Sequence, residues 1–134
     1  MASDAALERL RAVYENYAQG DFWADGDIWH EDVELVWGEG FLDTGIHRGL
    51  EGLPEALVTW LRAWERWEAV LEELRTAPDG RVVALVIFRG YGRRGGAPVL
   101  TEGTHVWTFD EHDLVTRLEI HPTRAAADEI LGDR

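Results

Sequence analysis

The first twenty residues have the hydrophobic pattern of an amphipathic helix. Apolar residues recur there at steps of three and four, the spacing of one helix face, at Leu7, Leu10, Val13, Tyr14 and Tyr17. Ser3 or Asp4 precedes this stripe as an N-cap, and Gly20 follows it as a C-cap. The pattern therefore predicts a first helix. The segment Asp21 to Trp29 indicates a short second helix, which Gly26 weakens.

The next segments change from the period of a helix to that of a strand and back. Residues 33–37 alternate in polarity, which predicts a strand with one buried face. Residues 38–49 contain four glycines and predict a loop with room for a short hairpin. Residues 50–74 are mostly helical in pattern, but near Trp67 the apolar positions fit a strand equally well. That boundary stays open at this stage.

The second half of the chain has the pattern of three long strands and a closing helix. The predicted strands are residues 81–88, 99–109 and 114–121, separated by a glycine-rich hairpin at 89–98 and a polar turn at 110–113, and the helix is residues 123–131. Helices followed by an antiparallel meander predict an α+β fold with the helices on one face of a curved sheet. We find no repeat or linker, and we expect one domain over residues 1–134.

Composition and charge narrow the classes of function. The chain contains seven Trp, and each needs buried area and a partner for its N–H group, which predicts an aromatic core or an aromatic-lined cavity. The formal net charge of −13 argues against binding to nucleic acid or to an anionic membrane surface. With no Cys and no HExxH or His-x-His motif, we expect no metal site. No signal peptide or long apolar run is recognisable, so we expect a soluble cytoplasmic protein.

The last strand separates ionisable from apolar side chains. Arg117, Glu119 and His121 fall on one face, and Leu118 and Ile120 fall on the other. The ionisable face either lines a pocket or faces solvent, and alternation alone leaves both open. On the preceding strand, one face carries a second polar and aromatic set, namely His105, Trp107 and Phe109.

Several short phrases, in this order and spacing, resemble one known family. They are Gly20-Asp21, Glu31-Asp32-Val33-Glu34, His47-Arg48-Gly49 with Glu51-Gly52, His105-Val106-Trp107-Thr108-Phe109 and Val115-Thr116-Arg117-Leu118-Glu119. Together they resemble the SnoaL-like branch of the NTF2-like superfamily, which includes polyketide cyclases and ketosteroid isomerases. The resemblance extends over residues 5–131. It implies an NTF2-like cone, in which a strongly curved antiparallel sheet wraps around N-terminal helices and leaves a deep pocket.

The resemblance also implies how such a pocket works. Family members use no metal or organic cofactor for acid–base chemistry, and many form homodimers through the outer sheet face. Positions matching His105 and Arg117 point into the cone in similar ketosteroid isomerases. The base of those isomerases is an Asp, and Trp37 stands in its place here, so steroid isomerisation itself is not expected.

We therefore expect acid–base chemistry of the isomerase or cyclase type on a small apolar carbonyl compound. The predicted catalytic residues are His105, Arg117, Glu119 and His121. The two imidazoles would move protons near neutral pH. Glu119 would pair with Arg117 and fix the tautomer of a neighbouring imidazole, and Arg117 or a histidine would steady an enolate oxygen. The predicted ligand contacts are Trp37, Tyr17, His47, Trp60 and Trp107, although tight core packing also explains the aromatic ones. The alternative is a non-catalytic protein that binds a hydrophobic ligand in the same cone.

Overall fold

The structure is a computed structural model, and it describes residues 2–23, 27–38 and 45–132. Its elements in chain order are α1 (Asp4–Tyr17), β1 (Trp29–Trp37), β2 (Gly45–Arg48), α2 (Gly49–Leu61), β3 (Arg66–Thr76), β4 (Val82–Tyr91), β5 (Val99–Phe109), β6 (Val115–His121) and α3 (Ala125–Leu131). The predicted α+β class is confirmed. The last two strands and the terminal helix begin and end within two residues of their predicted bounds.

The strands of the described residues form one curved, unclosed sheet in the order β2-β1-β6-β5-β4-β3. Neighbouring strands are antiparallel except β1 and β6, which are parallel. Side chains on directly paired residues share a face. One such row joins Leu35, Leu118, Trp107 and Val82, all of them buried, and we call this side the inner face. The opposite side is the outer face.

Helices α1 and α2 pack on the inner side. The Ser3 hydroxyl accepts a hydrogen bond from the Ala6 amide at 3.1 Å, which begins α1 with a satisfied N-cap. The apolar stripe of α1 and the Leu53–Ala56 face of α2 then join the main core beside the inner face. No helix in the described ranges is long and apolar enough to cross a membrane.

The short helix α3 covers part of the outer face. Its Ala127 packs with Ala77 and Val83 in a small separate cluster, to which Leu85 and Ile130 add half-buried side chains. The rest of the outer face, over β1 and β6, carries the charged residues described below. The two sides of the sheet therefore differ in chemistry. The inner face carries the large apolar core, whereas the outer face carries a small apolar cluster and the charged residues.

Two predictions near the ends of helices are changed by strand pairing. The predicted second helix is wrong at residues 27–29, because Trp29 already begins β1 and the Ile28 carbonyl accepts from the Val115 amide at 2.7 Å. Residues 24–26, including Gly26, lie outside the described residues. The open boundary near Trp67 falls at Arg66, where β3 begins its pairing with β4. The predicted loop at 38–49 includes β2, and its residues 39–44 are also outside the described residues.

One glycine leaves space for a large ring on the inner face. A Cβ atom on Gly103 of β5 would overlap the ring of Phe88 on β4, and Phe88 is fully enclosed at 2% exposure. The ring also packs against Trp67 and His105, so it cannot shift away from the strand without disturbing these contacts. The absence of a side chain at position 103 is therefore what lets this ring lie flat against the sheet.

We expect Gly103→Ala to lower the free energy of unfolding by about 1–3 kcal/mol, because the added methyl overpacks the core against Phe88. Gly92→Ala is the matched control, since a Cβ there meets open space and its change should stay within about 0.5 kcal/mol. Urea denaturation measures both. Equal effects at the two positions would contradict the packing described here.

Candidate functional site

A cavity of about 240 Å³ lies between the inner face of the sheet and the helices. Its lining is almost entirely apolar and aromatic, and consists of Tyr17, Phe22, Trp23, Trp29, Leu35, Trp37, Leu50, Leu53, Pro54, Leu57, Trp60, Trp67, Phe88, His105, Leu118 and Ile120. No Asp, Glu, Lys or Arg side chain of the described residues belongs to this lining. The polar side-chain groups among the lining residues are therefore the His105 imidazole, the Tyr17 hydroxyl and the Trp indole N–H groups.

Four aromatic rings from four elements form a continuous wall of the cavity. The ring centroids of Trp37 and Trp60 are 5.4 Å apart, those of Trp60 and Trp67 are 5.1 Å apart, and those of Trp67 and Phe88 are 5.4 Å apart. These are favourable distances for edge and offset ring contacts. Helix α2 supplies Trp60 one turn after Leu57, which places both side chains on the face toward the sheet. The wall is therefore a continuous aromatic surface whose ring planes are tilted against one another, with Trp60 nearly perpendicular to Trp67.

His105 is held from behind by a buried chain of two hydrogen bonds. The ring lies on β5 and is 3% exposed. The hydroxyl of Tyr14 on α1 is 2.6 Å from His105 Nδ1, and the indole Nε1–H of Trp107 donates to the same hydroxyl oxygen at 2.8 Å. Neither Tyr14 nor Trp107 lines the cavity. The imidazole is thus anchored to the helix and offers its remaining ring edge to the cavity.

The protonation states of this buried chain follow from its surroundings. Burial is the main cause, and the electrostatic effect of nearby His121 the second, that together lower the pKa of His105 from 6.5 to about 3. Burial raises the pKa of Tyr14 well above 10, against the smaller opposing effect of the hydrogen bond from Trp107. Both His105 and Tyr14 are therefore neutral at neutral pH.

The other three predicted catalytic residues lie on the outer face, away from the cavity. Arg117 contacts Glu34 at 3.1 Å and Glu119 at 3.5 Å, and His121 Nε2 is 3.5 Å from Glu119. The pKa of Glu119 is lowered, chiefly by its hydrogen bond with His121 and then by the nearby arginines, against its partial burial. Among the described residues no three His, Asp or Glu side chains are grouped to hold a metal ion, and this outer network is no exception. The prediction that these residues share one pocket with His105 is therefore wrong.

An irregularity in the pairing of β5 with β6 is the physical reason. Phe109 stands opposite Val115, but the preceding residue Thr108 already stands opposite Arg117, so β6 contains one extra residue at this point. A bulge of one residue moves every later side chain of the strand to the other face. Without it, Arg117 and the charged residues after it would share the face of His105. The solvent-facing alternative, with the apolar residues of β6 in the core, is the arrangement found.

The predicted ligand contacts divide between the cavity wall and its surroundings. Three of them line the cavity, namely Tyr17, Trp37 and Trp60. His47 does not, because it lies on the edge strand β2 and packs its backbone against Gly52 of α2. Trp107 is fully buried behind the wall, where its indole donates to Tyr14 and its ring packs against Trp29 of the lining. The contact of any of these residues with a ligand stays a prediction.

Sequence reasoning assigned Tyr14 to the helix stripe and missed its place beside His105. The available signal was weak: a buried Tyr hydroxyl needs a polar partner, and a histidine on an inward strand face can provide one. Nothing local in the sequence joins residues that are 91 positions apart. The hydrophobic lining from β4 and β6, including Phe88 and Leu118, was likewise visible only as core.

The comparisons with known proteins agree with this fold. The model of the SnoaL-like domain matches residues 10–118. Among curated proteins, none is similar enough to count as a match. Solved structures with a similar fold include TerC co-crystallised with polyporic acid, which has 24% sequence identity and a TM-score of 0.74 over 96% of this chain and 98% of that one.

Two further solved structures cover nearly the whole chain. An NTF2-like protein of unknown function from Burkholderia pseudomallei K96243 has 17% identity and a TM-score of 0.76, over 96% of this chain and 98% of its own. A protein assigned as a SnoaL-like polyketide cyclase, from Jannaschia sp. CCS1, has 11% identity and a TM-score of 0.71, over 96% and 92%. At these identities the similarity shows the fold alone.

Acid should destabilise the fold through His105. Because its pKa is about 3 in the folded protein and near 6.5 in the unfolded chain, the unfolded chain binds the proton more readily between these values. The free energy of unfolding therefore falls as pH decreases through this window, by up to about 1.4 kcal/mol per pH unit. His105→Gln lacks the titrating group. The stability difference between wild type and this variant should shrink by about 2 kcal/mol from pH 7 to pH 5 in chemical denaturation. A difference independent of pH would contradict the buried neutral imidazole.

Proposed function

The chain belongs to the SnoaL-like domain family, and from that premise we propose that it binds a small, flat, largely apolar organic molecule in the inner cavity, with one polar atom of the molecule against His105. The observation that carries this proposal is the lining, which is aromatic and aliphatic and has few polar groups: the His105 imidazole, the Tyr17 hydroxyl and the Trp indole N–H groups. Binding pockets for small molecules typically combine such a wall with a few placed polar groups.

The size of the cavity sets the size of the ligand. An enclosed apolar cavity of about 150 Å³ is enough to hold benzene. The cavity here is about 240 Å³, which is about 1.6 times that volume. It therefore suits a bicyclic molecule of about ten non-hydrogen atoms better than a single ring or a four-ring steroid.

The chemistry of the wall sets the character of the ligand. The rings of Trp37, Trp60 and Trp67 offer flat surfaces for stacking against an aromatic or conjugated system. A charged ligand would lose its hydration without gaining a partner of opposite charge, since the described lining contains no Asp, Glu, Lys or Arg side chain. A neutral molecule is therefore favoured. Co-crystallisation of TerC, which has the same fold, with polyporic acid supports a small-molecule role.

Catalysis is a second candidate function, favoured by the position of His105. A neutral imidazole at the cavity wall, backed by Tyr14, has the geometry to donate a hydrogen bond to a carbonyl oxygen and stabilise an enolate there. With a pKa of about 3 the same imidazole is a weak base at neutral pH. Isomerase or cyclase chemistry would need a proton acceptor from the substrate or from water, so binding is the function that the geometry supports better.

Tryptophan fluorescence should report binding, because several Trp rings line the cavity. We expect tetralin to give a saturable quench, toluene to bind more weakly, and progesterone to give no quench at the same concentrations, because these ligands respectively fill, underfill and exceed the cavity. Titration at pH 7 measures the three affinities. Absence of a saturable response to tetralin, or tighter binding of progesterone, would contradict the proposed pocket.

A pair of variants tests which face of the sheet binds. Leu57→Trp should weaken tetralin binding by about tenfold or more, because it fills the cavity from α2. Glu119→Gln, on the outer face, should leave the affinity within about twofold. Circular dichroism confirms that both variants fold. Equal weakening by the two variants would contradict a site confined to the inner cavity.

A separate experiment distinguishes turnover from binding. The protein is incubated with a ketone and the mixture is analysed by chromatography, since only an enzyme forms a product.

A further inference from the structure

The direction of the hydrogen bonds behind His105 can be worked out from the donors. An indole N–H can donate but never accept, so Trp107 must donate to the Tyr14 oxygen. Two arrangements remain for the contact between the Tyr14 hydroxyl and His105 Nδ1. Either the hydroxyl donates to an unprotonated Nδ1, or a protonated Nδ1 donates to the hydroxyl oxygen.

The second arrangement leaves a buried hydrogen unsatisfied. If Nδ1 donated, the Tyr14 oxygen would accept twice, and its own hydrogen would have no acceptor within the described residues. A buried group without a hydrogen-bond partner destabilises the fold, because it has given up its bond to water and gained none in return. In the first arrangement the Trp107 N–H and the Tyr14 O–H each find an acceptor. The first is therefore the stable one.

A neutral imidazole with an unprotonated Nδ1 carries its hydrogen on Nε2. No hydrogen bond within the described residues engages Nε2, whereas Nδ1 faces Tyr14 behind the wall. The nitrogen that His105 presents to a ligand is thus a hydrogen-bond donor. Of the other side chains in the lining, the Trp indoles also only donate, and the Tyr17 hydroxyl is the one group able to accept.

We propose that Tyr14 and Trp107 are positioning residues that fix His105 as a donor toward the cavity, so that the site selects ligands with a carbonyl oxygen over the corresponding alcohols. The inference rests on the proposed function and names the ligand's polar group. A ketone oxygen accepts from Nε2–H and leaves nothing unsatisfied. An alcohol oxygen can accept too, but its own hydrogen then enters a cavity with almost no acceptors, which costs affinity.

The tautomer of His105 can be measured without any ligand. In ¹⁵N-labelled protein at pH 7, we expect an unprotonated Nδ1 and a protonated Nε2 for His105. Tyr14→Phe removes the hydrogen bond to Nδ1 and should give a mixture of tautomers. Tyr17→Phe removes a second buried hydroxyl from the same helix without touching Nδ1, and should leave the tautomer unchanged. A protonated Nδ1 in the wild type would overturn the inference.

The selectivity is measured with three ligands of one shape: tetralin, 1-tetralone and 1-tetralol. We expect the ketone to bind about tenfold more tightly than the alcohol in the wild type. The ratio of ketone to alcohol affinity should fall below about threefold in Tyr14→Phe. If tetralin binds and the wild type does not prefer the ketone, the inference is wrong while the proposed pocket stands. If none of the three binds, the proposed function is wrong and the inference is overturned with it.

Discussion

The hydrogen-bonded chain from Trp107 through Tyr14 to His105 is the interaction on which the inner side of the molecule depends. It places three polar groups in the buried core, where each must find its partner in a fixed position. Because Tyr14 lies on α1 and the other two lie on β5, the chain also sets how the first helix sits against the sheet. The cavity next to it is what remains when the helices are held at that position and the aromatic wall is packed around it.

The bulge in β6 decides what the cavity contains. It keeps the apolar residues Leu118 and Ile120 on the inner face and leaves the charged network of Arg117 and Glu119 outside. The cavity therefore holds one weakly basic imidazole and no carboxylate from the described residues. That content underlies our proposal of a neutral ligand that accepts a hydrogen bond from His105, and it leaves the cavity poorly equipped to abstract a proton unaided.

Much of the fold could be predicted from the sequence, because its periodicity is local. The amphipathic stripe of α1, the strand at 99–109 and the α+β class follow from spacing alone, and the structure confirms them. Two features depend on distant partners: the parallel pairing of β1 with β6 and the exact face of each side chain in β6. A one-residue bulge leaves no trace in the amino-acid composition and little in the pattern of polar and apolar positions along the strand. The one available signal was the three-residue step from Val115 to Leu118, which breaks the period of two and was visible in the sequence.

The central claim is that a ligand enters the inner cavity and places its carbonyl oxygen on His105 Nε2. A crystal structure of the complex with 1-tetralone tests it most directly. The account predicts the bicyclic ring against the Trp37–Trp60 wall and the oxygen about 3 Å from Nε2. A ligand bound on the outer face beside Arg117, or one in the cavity with its oxygen turned away from His105, would contradict it.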